Sequence, residues 1–187
     1  MPIFDIVTAD ITTFKADAIV NAANTLLQGR GGVDGAIHRA AGPRLREYCR
    51  TLNGCETGMA KITPAFDMTT TRYIIHTPGP RFSKAKAERC DALLASSYLS
   101  SLKVAEGHGV KMIAFPSIST GIFHCPLDRA ALVVAKTLLV YKMQGGAVER
   151  VTMVCFDVPT AQAYEAAFAT VGLFEETRPK LELRKQL

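Results

Sequence analysis

An acid set among glycines is the first feature of the sequence able to do chemistry: GRGGVDGAIHRAAG, Gly29 to Gly42. Gly29, Gly31 and Gly32 permit positive φ and close backbone approach, so successive N–H groups can converge on an anion. A helix expected to begin near Val33 would add the partial positive charge of its first turn. Asp34 falls in that turn and His38 lies four residues on, on the same helical face. A carboxylate and an imidazole so arranged can orient or deprotonate a water. Each residue also has a plainer role. The glycines can form a simple turn, Asp34 can complement the helix dipole, and His38 can be structural. Neither standard phosphate motif applies, since GxxxxGK[ST] is absent and Asp34 stands where a dinucleotide fingerprint has its third glycine.

A second loop, ISTGIFHCP, offers hydroxyl and amide donors from Ser119, Thr120 and Gly121. Phe123 can pack against a sugar there or serve the core. Two such loops at neighbouring strand ends can hold the two phosphates of a diphosphate between them. Asn21 and Asn24 flank Ala22 and Ala23, and their carboxamides suit ribose hydroxyls or the bracing of a loop. Near the N-terminus Asp10 can accept from an exocyclic amine, with Ile11 beside the ring, although an acid before a turn is ordinary. No HExxH, GxSxG or CxxC occurs, which leaves metal and serine-nucleophile chemistry without support. His76 and His108 receive no role.

The elements that must position these residues alternate. Strands are expected at 3–7, 17–23, 59–64, 72–77, 111–117 and 150–156. Helices are expected at 35–53, near 84–106, at 126–143 and at 159–172. Pro126 and Pro159 suit first-turn positions, where a missing N–H costs nothing. The alternation predicts a mostly parallel sheet with helices on both faces. Ligands of such sheets bind beyond the carboxyl ends of the strands, which is where both loops fall.

Composition sets the outer limits. The 187 residues suit one domain over 1–175, followed by a basic tail over 176–187. The formal net charge of +5 favours phosphates, nucleotides or nucleic acid. RNA has that charge alone in its favour, since no aromatic-basic interleaving of the RNP kind is present. Five scattered cysteines without CxxC argue for a reducing cytoplasm rather than a disulfide framework. No apolar run suits a membrane span or a signal peptide.

Taken in order, DIVTADIT, DAIVNAAN, GGVDGAIHRAAG, TGMAKITPAFDM, YIIHTPGP and FPSISTGIF closely resemble a macrodomain of the MacroD type, from about residue 3 to 170. The resemblance implies a three-layer α/β/α fold with a six-stranded mixed sheet and an ADP-ribose cleft at its crest. It also implies a hydrolase without metal or redox cofactor, acting on two substrates. One is mono-ADP-ribosylated protein, freed of ADP-ribose at acidic side chains, and the other is O-acetyl-ADP-ribose, which is deacetylated. A reader that binds ADP-ribose without turnover is the alternative. In this resemblance Asp10 holds the adenine amine, Ile11 its ring and Asn24 the distal ribose, which counts Asn24 with the catalytic residues; Asn21 is a candidate substrate-binding residue. Gly31, Gly32 and Val33 line the distal ribose and the diphosphate. Ser119, Thr120, Gly121, Ile122 and Phe123 cradle the diphosphate from the other side. Asp34 matches the catalytic acid and His38 its assistant. The sequence departs from the family pattern in three places: Ala9 replaces a glycine, Arg30 interrupts a glycine run, and His124-Cys125 stand where relatives carry glycine and an aromatic.

Overall fold

The computed structural model describes residues 1–174; the basic tail expected over 176–187 lies outside the described residues. The chain forms a six-stranded sheet from β1 (Ile3–Thr8), β2 (Ala18–Ala23), β3 (Lys61–Pro64), β4 (Tyr73–Pro78), β5 (Met112–Phe115) and β6 (Arg150–Cys155). Their spatial order is β1-β6-β5-β2-β4-β3. Every pairing is parallel except β3 against β4. The sheet is therefore mixed, and the carboxyl ends of its five parallel strands share one edge.

Five helices cover the two faces: α1 (Gly32–Ala41), α2 (Pro43–Thr51), α3 (Ala87–Gly107), α4 (Leu127–Met143) and α5 (Val158–Val171). Side-chain alternation along the strands sorts them into two cores. Ala18 and Val20 of β2 join Ile75 of β4 beneath α3, α4 and α5, packing with Leu94, Tyr98, Leu138 and Phe168. Ile19 and Ala23 of β2 join Ile74 beneath α1 and α2, packing with Ile37, Leu45 and Cys49. This parity matters for the site, because it sends Asn21 and His76 to the α1–α2 face along with Ile19 and Ile74.

The expected helix over 35–53 is two helices, α1 and α2. Gly42 divides them at φ 81, where a Cβ would lie 2.1 Å from Asp67 Oδ2, and Pro43 opens α2. Pro126 is the residue preceding the first turn of α4 rather than within it. Pro159 does sit in the first turn of α5, and there the Asp157 side chain accepts from Thr160 N–H at 2.9 Å. The strand expected at 111–117 ends at Phe115, since Pro116 has no N–H to extend the ladder. Among the described residues no helix is long and apolar enough to cross a membrane.

Candidate active site

Asp34 is 6% exposed in the first turn of α1. Asn21, wholly buried on β2, donates its amide to Asp34 Oδ1 at 2.7 Å. The second N–H of the same amide meets His76 Nδ1 at 3.1 Å, which makes that nitrogen the acceptor and leaves Nε2–H to face Thr63 Oγ1 at 3.0 Å. Asp34 Oδ2 accepts from the backbone N–H of Arg30 at 3.2 Å. The carboxylate thus braces the glycine loop against the sheet. Asn21 braces Asp34 and is sealed from solvent, so the ribose contact expected of it is not available, and its place is behind the loop.

His38 lies beneath Gly29, where any Cβ would come within 2.6 Å of the imidazole ring. Its Nε2 is 3.5 Å from Asp34 Oδ1, and neither ring nitrogen has a hydrogen-bond partner among the described residues. Burial lowers the His38 pKa more than nearby Asp34 raises it, and Arg46 lowers it further. The ring is therefore neutral near pH 7, and its approach to Asp34 is not an ion pair. His76, fully enclosed and facing His38, is pushed down to about 3.

His38, Cys49 and His76 bring their ligand atoms within 4.8 Å of one another. Both nitrogens of His76 are already engaged, and burial together with Asp34 pushes the Cys49 thiol up to about 11. The trio thus favours neutral side chains plugging a polar interior over a metal-binding set.

The open side of the glycine loop has a different character. Gly31, the residue before the first turn, has no side-chain cap. Among the described residues, the N–H groups of Gly31, Gly32 and Val33 find no acceptor in the chain. A Cβ built on Gly31 or Gly32 meets nothing within 4 Å. Asn24 turns its Oδ1 to Leu26 N–H at 3.0 Å and keeps its Nδ2 without a partner. Arg30 stays out of the left-handed region, so an arginine fits there without strain.

The loop after β5 leaves the sheet beside the one after β2, because these strands are parallel neighbours. Its hydroxyls are occupied: Ser119 Oγ donates to Pro80 O at 2.8 Å, and Thr120 Oγ1 donates within the loop to Ser117. The donors expected from those side chains are spent on shaping the loop. The amides remain, because among the described residues no N–H from Ser119 to Phe123 reaches an acceptor in the chain. Buried tyrosines hold the loop from below, Tyr98 donating to Pro116 O at 3.1 Å and Tyr164 meeting Ser117 Oγ at 2.9 Å. Ser119 has φ 66 and His124 φ 58. The second angle explains why glycine suits the position that His124 occupies. Ile122 is exposed, and Phe123 is half-buried with the Arg81 guanidinium 5.3 Å above its ring.

At the far end of the crest Asp10 uses Oδ1 for Thr12, at 2.9 Å from its N–H and 2.7 Å from its hydroxyl. Oδ2 takes part in neither contact. Ile11 is buried and packs into the core beneath α1 and α2. Phe156, 89% exposed directly after β6, escaped sequence reasoning. Ala9 N–H bonds Cys155 O at 3.0 Å, which sets Phe156 beside the Asp10 turn. An aromatic placed one residue beyond a buried strand was the available signal.

The Macro domain family model matches residues 20–134, spanning both loops. The chain belongs to the Macro domain family. This macrodomain is 48% identical over 167 residues to a macro domain-containing protein of Lactiplantibacillus plantarum, covering 89% of this chain and 96% of that one. It is 43% identical over 167 residues to a protein of Escherichia fergusonii named O-acetyl-ADP-ribose deacetylase, covering 87% and 93%. A variant of an Oceanobacillus iheyensis macrodomain solved with ADPR superposes with a TM-score of 0.84 at 35% identity, covering 90% of this chain and 92% of that one. The fold is thus the macrodomain α/β/α architecture with its six-stranded mixed sheet.

Proposed function

We propose that this macrodomain binds ADP-ribose along its crest and hydrolyses esters of it. The substrates would be O-acetyl-ADP-ribose and proteins mono-ADP-ribosylated on acidic side chains. The observation that carries the reading is the pair of loops with unspent amides, Gly31 to Val33 and Ser119 to Phe123, at adjacent parallel strand ends. Such amides suit the oxygens of a diphosphate. Asp10 Oδ2 takes the adenine amine and Phe156 offers its exposed face to the ring. Asn24, the partly exposed asparagine of the pair, is assigned to the distal ribose, its enclosed Nδ2 having no partner among the described residues. Relatives named as deacetylases and the neighbour solved with ADPR support the same ligand.

In the deacetylation a water adds to the acetyl carbonyl. The tetrahedral species collapses by breaking the bond to the ribose oxygen, which takes up a proton, giving acetate and ADP-ribose. With a modified protein the water instead bonds to the anomeric carbon of the distal ribose and gives up a proton, while that carbon's bond to the side-chain oxygen breaks, releasing ADP-ribose and the free carboxylate. We assign the water to Asp34 Oδ2, the less engaged of the two oxygens, which holds one bond to Arg30 N–H. His38 shields that carboxylate from below as a neutral ring. Five buried cysteines, none in a disulfide, fit a reducing cytoplasm as its place of work.

A reader without turnover draws on the same bracing, since Asp34 would then serve only to hold the loop. Incubation with O-acetyl-ADP-ribose, following acetate release, separates the two. Hydrolysis requires release well above the uncatalysed rate. Tight binding with none would establish the reader.

A further inference from the structure

Between α1 and α2 a groove of 360 Å³ opens next to the glycine loop. Gly29 and Arg30 line its start, and Arg39, Arg46, Glu47 and Arg50 line its length. Arg46 and Arg50 are four apart on α2 and share a face. All four arginines are exposed, and none forms an ion pair among the described residues. Their neighbour Arg44 does, reaching Asp67 at 2.7 Å. Four guanidinium groups thus face one carboxylate, in a concavity that begins at the loop Asp34 braces through Arg30 N–H.

We propose that this groove is a second recognition site, which takes an acidic polypeptide segment next to the residue bearing ADP-ribose. Guanidinium forks match carboxylates in two-point hydrogen bonds. The path from ribose to groove is short, because Gly29 and Arg30 belong both to the groove and to the loop assigned above to the distal ribose. Nucleic acid suits the charge but not the surface. The one aromatic ring lining the groove is the buried His38, so bases have nothing exposed to stack on. The origin of the segment rests on the function proposed above, whereas peptide binding itself can be measured without turnover.

The test is fluorescence anisotropy of a labelled, unmodified glutamate-rich peptide with the wild type and with Arg39→Glu/Arg50→Glu. A surface control, Lys103→Glu/Lys136→Glu, makes the same change in net charge away from the groove. The groove variant is expected to bind about tenfold more weakly, and the control close to wild type. The same groove variant should raise KM for a glutamate-linked ADP-ribosyl peptide with acidic flanks. O-acetyl-ADP-ribose, which carries no peptide, is the internal reference. Equal peptide affinity in wild type and groove variant overturns the proposal, as does displacement of the peptide by a uridine-rich RNA at lower concentration. Groove-dependent peptide binding without any ADP-ribose release would contradict the hydrolase while upholding the groove.

Discussion

Asn21 on β2 and Asp34 on α1, thirteen residues apart, are joined by a buried 2.7 Å hydrogen bond. One carboxamide ties the strand before the glycine loop to the helix after it, and its other N–H reaches His76 on β4. The loop is thereby pinned at both ends, with Asp34 as the pin. Asn21→Leu keeps a similar volume but leaves a buried carboxylate and imidazole short of a donor. The expected cost is about 1–3 kcal/mol, read as a lower urea midpoint with unchanged m-value, accompanied by weaker ADP-ribose binding. Stability equal to wild type would show that the pin does not hold.

The glycines of the loop should separate by what lies above them. Gly31 has an extended φ of −119 and open space where a methyl would go. Gly31→Ala should therefore leave stability within about 0.5 kcal/mol and still weaken ADP-ribose binding in calorimetry, because the methyl enters the ligand's side of the loop. Gly29→Ala should do the reverse in order of severity, destabilising the fold first. Its φ of 66 and the His38 ring 2.6 Å from the new Cβ leave no room for it. Normal affinity in Gly31→Ala would mean that the loop's open face is not the ligand side.

His76 makes stability depend on pH. Its folded pKa of about 3 lies below the ordinary 6.5, so between these values the unfolded chain binds the extra proton. Stability is fully present above about 6.5 and falls as pH drops towards 3, by about 1.4 kcal/mol per unit once below 6.5. The lowered pKa of His38 acts in the same direction. Melting curves from pH 7 to 5 should show this slope, and His76→Gln should flatten it. An equal slope in the variant would place the effect elsewhere.

Phe156 offers an exposed ring with no structural task. Phe156→Ala should leave the melting temperature close to wild type and weaken ADP-ribose binding by about tenfold, within the range for one stacked base. Ribose 5-phosphate, which has no base, should bind the two proteins alike. Equal loss for both ligands would remove Phe156 from the adenine.

Strand order apart, much of the fold was legible in the alternation of β-branched runs and helical stretches, because β2, β4, β5 and β6 are mostly buried and so read as apolar runs. The break at Gly42 was hidden, since GPRLREYC continues a helical pattern, and what forbids a side chain there is the positive φ of 81 together with Asp67, distant in sequence. At the site the two loops were visible as glycine and hydroxyl clusters. The use of their groups was not. Ser119 and Thr120 read as phosphate donors, but Pro80 and Ser117, brought in by the fold, take their protons. Asn21 and His76 could have been paired with Asp34 only by knowing that β2 and β4 are neighbours in register, with Asn21 opposite His76. Arg30 and His124 were open from sequence alone, and backbone angles decide both: Arg30 fits unstrained, and His124 sits in the region that glycine prefers.

Asp34 is the residue proposed to make this crest a hydrolase rather than a cradle. The direct measurement is single-turnover release of ADP-ribose from a protein mono-ADP-ribosylated on glutamate, with wild type, Asp34→Ala and Asp34→Asn. Asparagine keeps an acceptor for the Arg30 N–H but cannot take a proton. Wild type should release ADP-ribose, and both variants should be slower by about 100-fold or more, with Asp34→Asn retaining most of the ADP-ribose affinity. Wild type that binds ADP-ribose yet releases none above background would contradict the account, and so would release by Asp34→Asn at the wild-type rate.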